Sequence, residues 1–435
     1  AYQLIMTRFE EVINFLYAQL PVFHREGKKA YKPGLGNIES LSAQLGNPHE
    51  AFKSLHIAGT NGKGSSSHFM ASILQEHGYK VGLYTSPHLK SFTERVKING
   101  QEIDKQWIVD FFDQYQPLLA SIRPSFFEWT VIMAFQYFKE QQVDFAIIET
   151  GLGGRLDSTN IINPLGCLIT NIGYDHQDIL GDSLELIAGE KAGIIKANTP
   201  VCISEKQIET TTIFQAKANS EHANLRFASE KVQVGDPEFK KAGMQLEVGT
   251  TTWGKFILES PYAGIYQVNN LRGVIAWCEQ LNELGIIPFE IQKIQSGIAA
   301  CRKNTMLRGR WEVYQENPWI VADTGHNESG ITQILEQVKQ FHPSHLTIIL
   351  GMVADKDIDR VLKLFPKEAA YLFTEAHNPR ALKADKLQEM ASRHGLTGQL
   401  AENVNQAIKL ACKSESDFIL ITGSTYLVAE IEETF

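Results

Sequence analysis

Short apolar runs alternate with helical patterns along most of this chain. The first four runs are rich in β-branched residues, are bounded by Gly, Pro or Asn, and cover 54–58, 80–86, 143–150 and 165–171. Runs that are apolar throughout are typical of parallel strands buried on both faces of a sheet. Between the first two runs, helical spacing relates Met70, Ile73, Leu74 and His77, and Gly78 supplies a stop signal. This order predicts a βαβ unit with a right-handed crossover.

The pattern changes in the second half of the chain. Residues 244–260 alternate polar and apolar around a Gly- and Thr-rich turn, so we expect a β-hairpin inserted within 224–260. A helical pattern returns at 267–285, and the basic segment 302–310 is poor in large apolar residues. A second α/β series follows, with apolar runs at 319–324, 346–352, 370–375 and 417–424.

These patterns predict an α/β protein with two domains. The larger N-terminal domain would cover 1–301 and carry the hairpin insertion, a linker would occupy 302–308, and a smaller doubly wound α/β domain would cover 309–435. A length of 435 residues agrees with two hydrophobic cores rather than one.

Composition narrows the classes of function. The chain has 41 basic and 50 acidic residues, and the net charge of -9 argues against broad binding of nucleic acid or anionic membranes. The first twenty residues mix acidic with apolar positions, unlike a signal peptide, and no apolar run reaches membrane-spanning length. Five cysteines without a CxxC pair predict reduced thiols in a cytoplasmic protein.

The strongest local motif is HIAGTNGKGSSS at 56–67, where an apolar strand leads through a Gly-rich turn into a helix. Small residues let backbone N–H groups approach phosphate oxygens, and a helix N-terminus favours anions. Lys63 would contact the outer phosphates of a nucleotide, and Ser65 would approach the metal ion. The strict phosphate-loop pattern has four residues between its first Gly and its Gly-Lys pair, whereas only two separate Gly59 from Gly62 here. A Gly-rich turn with an exposed lysine is the alternative.

Polar residues also follow the third and fourth apolar runs. Glu149 ends the third run, where a carboxylate can reach the crevice at the carboxyl edge of the sheet and bind Mg²⁺. Asp175 and His176 follow the fourth run. Imidazole is an unusual ligand of Mg²⁺, which favours a structural role for the histidine on chemistry alone. A solvated strand-end carboxylate is the alternative for Glu149.

Lys191 lies in the segment IAGEKAGIIK and allows two interpretations. It belongs either to the charged face of a short helix or to a buried site. Burial favours the neutral amine, which can take up CO₂ and become a carbamate. The two carbamate oxygens would then face a cation.

In the predicted second domain, ADTGHNESG at 322–330 follows an apolar run and places Asp323 and His326 at its end. Asp323 would orient a ribose or a Mg²⁺-bound water, although a turn capped by Asp and Asn explains the motif equally well. Arg310 follows the predicted linker, where its guanidinium can contact a phosphate in bidentate fashion. A solvated basic linker is the alternative for Arg310.

Taken in order, these segments resemble the dihydrofolate synthase/folylpolyglutamate synthase family, a branch of the Mur ligases. The resemblance covers nearly the whole chain. Besides the stretch 20–49, it is carried by HIAGTNGKGSSS, YTSPHLKSFTERVKINGQEI, FFEWTVIMAF, ETGLGGRLDSTN, YDHQDILG, EKAGIIK, GxxQxxN at 264–270, GRWE, DTGHN and ITGSTYL. It implies a Mur-ligase-type P-loop ATPase domain that binds ATP and the pterin or folate substrate, followed by a glutamate-ligase-type domain.

The resemblance also implies a role for each matching residue. The residues that would hold ATP are Thr60, Asn61, Gly62, Lys63, Gly64, Ser65, Asn270, Arg310 and Asp323. Those that would bind Mg²⁺ are Ser86, Glu149 and His176. Those that would hold the pterin-bearing substrate are Ser125, Phe126, Phe127, Glu128, Leu156, Asp157 and Ser158. Lys63, Lys191 and His326 would serve catalysis, and Lys191 matches the lysine that is carbamylated in family members.

Two positions depart from the family pattern. The motif DTGHNE stands where the family commonly has DGAHNP, and Arg308 stands where Pro is usual before Gly309 and Arg310. Both departures leave the predicted charged groups in place, but they leave the loop geometry around Asp323 open.

The implied reaction is ATP-dependent ligation of L-glutamate to dihydropteroate, to tetrahydrofolyl polyglutamates or to both. An acyl phosphate would be the intermediate, Mg²⁺ the cofactor, ATP the co-substrate, and ADP and phosphate the products. We expect a monomer that binds these small molecules and neither nucleic acid nor membrane. A UDP-muramoyl-peptide-type ligase is the alternative within the class, and FFE and GGRLDSTN speak against it. A P-loop small-molecule kinase or a nucleotide switch is the alternative outside the class, and neither predicts the polar set at 323–327.

Overall fold

The computed structural model describes residues 2–21, 34–240, 243–354 and 357–432. The described residues form two compact units. One comprises residues from 1–173, 177–261 and 267–306, and the other comprises residues from 174–176, 262–266 and 307–435. Part of the N-terminal stretch that carries the family resemblance, 22–33, lies outside the described residues.

The first unit is built on an eight-stranded sheet with the order β4-β3-β2-β5-β1-β6-β7-β8. Its strands are β1 (Lys53–Ala58), β2 (Val81–Tyr84), β3 (Val96–Ile98), β4 (Gln101–Glu102), β5 (Phe145–Glu149), β6 (Gly166–Ile169), β7 (Val201–Ile203) and β8 (Leu225–Phe227). The four predicted apolar runs form β1, β2, β5 and β6, and the parallel pairing of β1 with β5 and β6 is confirmed. The pairs β2–β3 and β3–β4 are antiparallel, an edge that the apolar pattern did not predict.

Helices cover this sheet and connect its strands. They are α1 (Tyr2–Gln19), α2 (Gly36–Gln44), α3 (Lys63–Glu76), α4 (Lys105–Tyr115), α5 (Pro117–Ile122), α6 (Phe126–Glu140), α7 (Gln177–Leu180), α8 (Leu184–Ala192), α9 (Ile208–Ser220), α10 (Ala228–Lys231), α11 (Gln267–Glu283), α12 (Ile291–Ala299) and α13 (Cys301–Thr305). The helix predicted between the first two strands is α3, and the pattern at 267–285 forms α11. Helix α13 occupies most of the predicted linker, and the division between the units falls after Met306.

The predicted hairpin is present within a small antiparallel sheet. Its strands are β9 (Gln233–Val234), β10 (Glu238–Lys240), β11 (Gly243–Thr250) and β12 (Gly254–Ser260). Strands β11 and β12 pair from Met244↔Ser260 to Thr250↔Gly254, as the alternating pattern predicts. Strands β9 and β10 both pair with β11 and were not predicted, because they are short and largely exposed.

The second unit contains a six-stranded sheet with the order β13-β14-β18-β15-β16-β17. Its strands are β13 (Glu312–Glu316), β14 (Trp319–Ala322), β15 (Leu346–Leu350), β16 (Ala370–Phe373), β17 (Gly398–Leu400) and β18 (Phe418–Thr422). Its helices are α14 (Glu328–Gln340), α15 (Ile358–Leu362), α16 (Ala384–Arg393), α17 (Val404–Cys412) and α18 (Thr425–Ala429). The four predicted runs form the parallel strands β14, β18, β15 and β16. Within the described ranges, no helix combines the length and apolar character that crossing a membrane requires.

Candidate active site

The phosphate loop connects β1, which ends at Ala58, to α3, which begins at Lys63. Two glycines shape it because side chains do not fit there. Gly62 has φ +83°, and a Cβ at this position would overlap Oδ1 of Asn270 and lie 3.0 Å from its Cγ. A Cβ at Gly59 would overlap Oγ1 of Thr170. Glycine at both positions therefore lets the loop pack directly against Thr170 and Asn270, and at Gly62 it also allows the left-handed backbone that begins α3.

Two lysines meet at one carbonyl oxygen of this loop. Nζ of Lys63 donates to the carbonyl oxygens of Gly59 at 3.0 Å and Thr60 at 3.2 Å. Nζ of Lys191 donates to the same Gly59 oxygen at 2.9 Å. Lys191 is only 4% exposed, so the buried-lysine interpretation is confirmed and the solvated-face interpretation is wrong.

Helix α11 packs its polar residues against the loop. Nε2 of Gln267 donates to the buried Oγ of Ser65 at 3.1 Å, and Nδ2 of Asn270 donates to Oε1 of Gln267 at 2.8 Å. Asn270 also lies against Gly62. Gln267 and Asn270 of the GxxQxxN segment thus lie at the phosphate loop, and the ATP contact that the resemblance implies for Asn270 stays a prediction.

Thr170 and Asn171, directly after β6, hold the phosphate loop through hydrogen bonds, a role that the sequence did not predict. The Oγ1 of Thr170 donates to the carbonyl oxygen of Asn61 at 2.5 Å, and Oδ1 of Asn171 accepts the N–H of Asn61 at 2.9 Å. Thr60 exchanges hydrogen bonds with the backbone of Gly173 through its Oγ1. The polar pair at 170–171, which ends the fourth apolar run, was the available signal.

Glu149 lies beside this loop, because it pairs with Ile57 in the register of β1 and β5. It is buried, and its Oε2 accepts the backbone N–H of Ser86 at 3.1 Å. Ser86 and Glu149 are thus brought together in the first unit. His176 belongs to the second unit, and its part in a metal site stays a prediction. Among the described residues, no group of three or more His, Cys, Asp or Glu side chains is arranged to hold a metal. Mg²⁺ does not need such a cage, since it retains waters and binds one or two carboxylates together with substrate phosphates.

The predicted substrate segment at 125–128 begins α6. The Oγ of Ser125 accepts the N–H of Glu128 at 3.2 Å, and Oε2 of Glu128 accepts the N–H of Ser125 at 2.6 Å, which forms a capping box. Phe126 is buried and stacks on Tyr17 at 4.6 Å between ring centroids. Phe127 is half-buried and lies so close to Gly151 that a Cβ there would overlap its ring.

The second substrate segment is organised by the carboxylate of Asp157. Its Oδ2 accepts the N–H groups of Gly151 and Leu152, both at 2.8 Å. Its Oδ1 accepts the N–H of Thr159 at 3.0 Å and the hydroxyl of Thr159 at 2.5 Å. Burial raises the pKa of Asp157 above its ordinary value, and these donors partly oppose that shift. Leu156 is half-buried beside it, and Ser158 is buried.

In the second unit, Asp323 is buried directly after β14. Its Oδ2 accepts the N–H of Trp311 at 2.8 Å and the hydroxyl of Tyr266, and its Oδ1 accepts the N–H of Gly325 at 2.9 Å. Burial raises the pKa of Asp323, which these donors and the charge of Arg310 oppose. Asn327 caps α14 by accepting the N–H of Gly330. The capped-turn interpretation is therefore confirmed, and the ATP contact stays a prediction.

Arg310 and His326 lie near the same turn. Nη1 of Arg310 donates to the carbonyl oxygen of Gly309 at 3.1 Å and to Oγ1 of Thr324. Nδ1 of His326 lies 3.0 Å from the carbonyl oxygen of Thr324, so Nδ1 carries a proton and donates. Nε2 of His326 then lies 3.5 Å from Oδ2 of Asp175. The unusual Arg308 forms an ion pair with Glu312 at 2.9 Å.

Two family models match this arrangement of units. The Mur ligase middle domain matches residues 57–278, and the Mur ligase, glutamate ligase domain matches residues 309–425. Together with the phosphate loop and the two sheets, these matches define a ligase of the Mur class.

Relatives narrow the class to one branch. The chain is 33% identical over 441 residues to the dihydrofolate synthase/folylpolyglutamate synthase of Bacillus subtilis, covering 99% of each chain. It superposes on the folylpolyglutamate synthase of Mycobacterium tuberculosis complexed with ADP and AMPPCP, with a TM-score of 0.86, 28% identity and coverage of 98% and 97%. A bifunctional folylpolyglutamate synthase/dihydrofolate synthase from Yersinia pestis, complexed with AMPPNP and Mn, gives a TM-score of 0.81 at 25% identity, covering 97% and 96%. The chain belongs to the dihydrofolate synthase/folylpolyglutamate synthase family.

Proposed function

We propose that the chain is an ATP-dependent ligase that joins the amine of L-glutamate to the carboxylate of dihydropteroate, of tetrahydrofolyl polyglutamates, or of both. The observation that carries this proposal is the phosphate loop of the first unit. There Lys63 and buried Ser65 begin a helix beside Gly59, and the strand-end carboxylate of Glu149 pairs with Ile57 two residues before that glycine. A cation, a hydroxyl and a carboxylate at or beside this one loop support the proposal of a nucleotide site there.

The chemistry requires activation of the acceptor, because a carboxylate is a poor electrophile. A carboxylate oxygen of the acceptor would attack the γ-phosphorus of ATP, forming an acyl phosphate and releasing ADP. The glutamate amine would then attack the acyl carbon, and phosphate would leave with that oxygen. The protein contributes positioning and charge neutralisation rather than a nucleophile of its own.

The oxygen ligands near the loop suit Mg²⁺. The Yersinia pestis relative binds Mn together with a nucleotide. Glu149 offers a buried carboxylate and Ser65 a buried hydroxyl, both hard oxygen donors. When bound there, the ion would neutralise charge on the phosphates. The predicted contributions of Ser86 and His176 to the metal site remain proposals. The same holds for ATP binding by Arg310 and Asp323 and for the catalytic role of His326.

The burial of Lys191 and its contact with Gly59 support carbamylation of this lysine. Lys63 already supplies one ammonium group to the same carbonyl oxygen at 3.0 Å. A carbamate on Lys191 would replace a second positive charge with a negative one, and its oxygens would suit a cation. Carbon-13 NMR of protein equilibrated with ¹³CO₂ tests this modification: a signal in the wild type that is absent from Lys191→Met supports it, and equal spectra contradict it.

Release of ADP tests the proposed reaction. Purified protein is incubated with ATP and Mg²⁺ together with dihydropteroate or tetrahydrofolate, with and without L-glutamate. Steady ADP release that needs both an acceptor and glutamate supports the ligase. Release without glutamate, with a phosphorylated product accumulating, indicates a small-molecule kinase, and release only with a UDP-muramoyl substrate indicates the other Mur branch. Comparing the two acceptors decides which one the protein uses. A monomeric state, the absence of nucleic-acid and membrane partners, and a cytoplasmic location remain predictions.

A further inference from the structure

A buried histidine lies behind the loop that carries Asp157. His56 belongs to β1, where it pairs with Ile148 of β5 and Cys167 of β6. It is fully buried, and its Nε2 lies 2.8 Å from Oγ1 of Thr159. That hydroxyl in turn lies 2.5 Å from Oδ1 of Asp157. The buried side chains of His56, Thr159 and Asp157 are thus connected by a chain of consecutive hydrogen bonds, although His56 lies more than a hundred positions before the other two.

The direction of each hydrogen bond in this chain follows from its far end. The carboxylate of Asp157 accepts three backbone N–H groups, from Gly151, Leu152 and Thr159. Backbone N–H groups only donate, so the carboxylate acts as an acceptor, and the hydroxyl of Thr159 donates to it. The remaining lone pairs of that hydroxyl can only accept. Nε2 of His56 must therefore carry the proton.

The opposite ring nitrogen agrees with this assignment. Nδ1 of His56 is buried and has no hydrogen-bond partner in the described part of the chain. In the tautomer protonated on Nε2, this atom is a lone pair, whereas the other tautomer would bury an unpaired N–H group. Burial, with a smaller effect of the Lys196 charge, also lowers the pKa of His56 to about 3, so the ring is neutral.

The series of hydrogen bonds from His56 through Thr159 ends at Asp157, on the loop predicted to hold the substrate. Asp157 binds the N–H groups of Gly151 and Leu152, and Gly151 packs directly against the ring of Phe127. Rotation of the Asp157 carboxylate would release both N–H groups and alter the surface that Gly151 presents to Phe127. The hydroxyl of Thr159 holds that carboxylate, and the neutral ring of His56 holds the hydroxyl.

We propose that His56 and Thr159 are positioning residues for the acceptor substrate. They fix Asp157 and the loop at 151–157 through consecutive hydrogen bonds, in which His56 donates to Thr159 and Thr159 donates to Asp157. The proposal rests on the proposed ligase function. Both residues act through Asp157 rather than on the reacting atoms. Loss of the chain should therefore weaken binding of the pterin or folate acceptor and leave ATP binding unchanged.

Steady-state kinetics of two matched pairs test the proposal. Thr159→Val removes the hydroxyl and Thr159→Ser retains it; His56→Leu removes the donor and His56→Gln retains one near the Nε2 position. We expect Thr159→Val and His56→Leu to raise the KM for the acceptor about tenfold, with the KM for ATP changed less than about twofold and with near-normal values in the conservative variants. Thr374→Val, at a buried threonine of the second unit whose hydroxyl has no partner among the described residues, is the control for loss of a hydroxyl.

An acceptor KM that is unchanged in Thr159→Val, or a rise that is equal for ATP and acceptor, would overturn the proposal. If Thr159→Val does not fold, ¹⁵N NMR of the histidine rings in the wild type decides. The His56 signals, assigned by their loss in His56→Gln, should show the tautomer protonated on Nε2 and should not titrate between pH 5 and 9. A proton on Nδ1, or titration in that range, overturns the chain. Absence of ligase activity in the wild type, with the NMR signature intact, would instead reject the proposed function.

Discussion

Replacing Gly62 by Ala tests whether the phosphate loop depends on its fit against α11. Gly62 lies at φ +83° at the start of α3, and an added Cβ would overlap the side chain of Asn270. Gly78, just beyond the end of the same helix, has nearly the same conformation at φ +86°, but nothing lies within 4 Å of an added Cβ. Gly78→Ala is therefore a matched control that carries the backbone strain without the collision.

The structure allows the difference between the two variants to be estimated. The left-handed conformation costs an alanine about 1–2 kcal/mol at either site, and this term cancels in the comparison. At Gly62, Asn270 must also retract, which breaks its 2.8 Å hydrogen bond to Gln267 and disturbs the 3.1 Å bond from Gln267 to Ser65. Two buried hydrogen bonds at about 1 kcal/mol each predict that Gly62→Ala lowers the free energy of unfolding by roughly 2 kcal/mol more than Gly78→Ala.

Urea denaturation and ATP kinetics measure this prediction. Because Asn270 and Ser65 are predicted ATP contacts, the KM for ATP should rise about tenfold in Gly62→Ala and stay near the wild-type value in Gly78→Ala. Asn270→Ala removes the amide that the added Cβ would meet. Introducing Gly62→Ala into the Asn270→Ala variant should therefore lower the free energy of unfolding no more than Gly78→Ala lowers that of the wild type. Equal stability and equal ATP kinetics in the two glycine variants would refute this account of the loop.

Three other predictions follow from buried polar groups. The pKa of His56 is lowered from 6.5 to about 3 in the folded protein, so the ring is protonated at a higher pH in the unfolded chain than in the folded one. The stability that comes from the neutral ring is therefore complete above pH 6.5 and is lost as the pH falls toward 3. Between pH 7 and pH 5 the wild type should therefore lose about 2 kcal/mol more unfolding free energy than His56→Gln, and parallel pH profiles would contradict this. Ser125→Ala removes the N-cap of α6 and should cost about 1 kcal/mol in urea denaturation, whereas exposed Ser121→Ala should change little. Lys191→Met removes the donor to Gly59 and should lower kcat at least about tenfold. Its control, Lys196→Met, removes a lysine that binds the carbonyl oxygens of Asn160 and Ile162 away from the loop, and equal losses in the two variants would argue against a role at the phosphates.

The central strands were predictable because each is apolar at nearly every position. Strand β5 is buried along its whole length, and so is β18, so the two-sided burial is visible in the residue types. Edge strands carry no such signal. Strand β4 has two exposed residues and β17 only three, mostly exposed, and their pairing is decided by the neighbouring strand rather than by their own sequence.

The candidate site shows the same division. The Gly-rich loop and Lys63 were predictable because the chemistry of a phosphate turn requires those residue types in adjacent positions. The support from Thr170 and Asn171, and the contact of His56 with Thr159, join residues about a hundred positions apart. Such contacts depend on which strands are neighbours and on their register, and neither is readable from periodicity. For Asp323 the sequence allowed both a capped turn and an ATP contact. The two interpretations use the same carboxylate, so the local motif does not distinguish between them.

The fate of one oxygen atom tests the central claim of carboxylate activation most directly. The acceptor is prepared with ¹⁸O in its carboxylate, and the phosphate released during ligation with ATP and L-glutamate is analysed by mass spectrometry or ³¹P NMR. An acyl phosphate predicts one ¹⁸O atom in the released phosphate for each amide bond formed, since the carboxylate oxygen that attacks ATP leaves with the phosphorus. Phosphate free of ¹⁸O, accompanied by normal formation of the glutamate amide, would contradict the account.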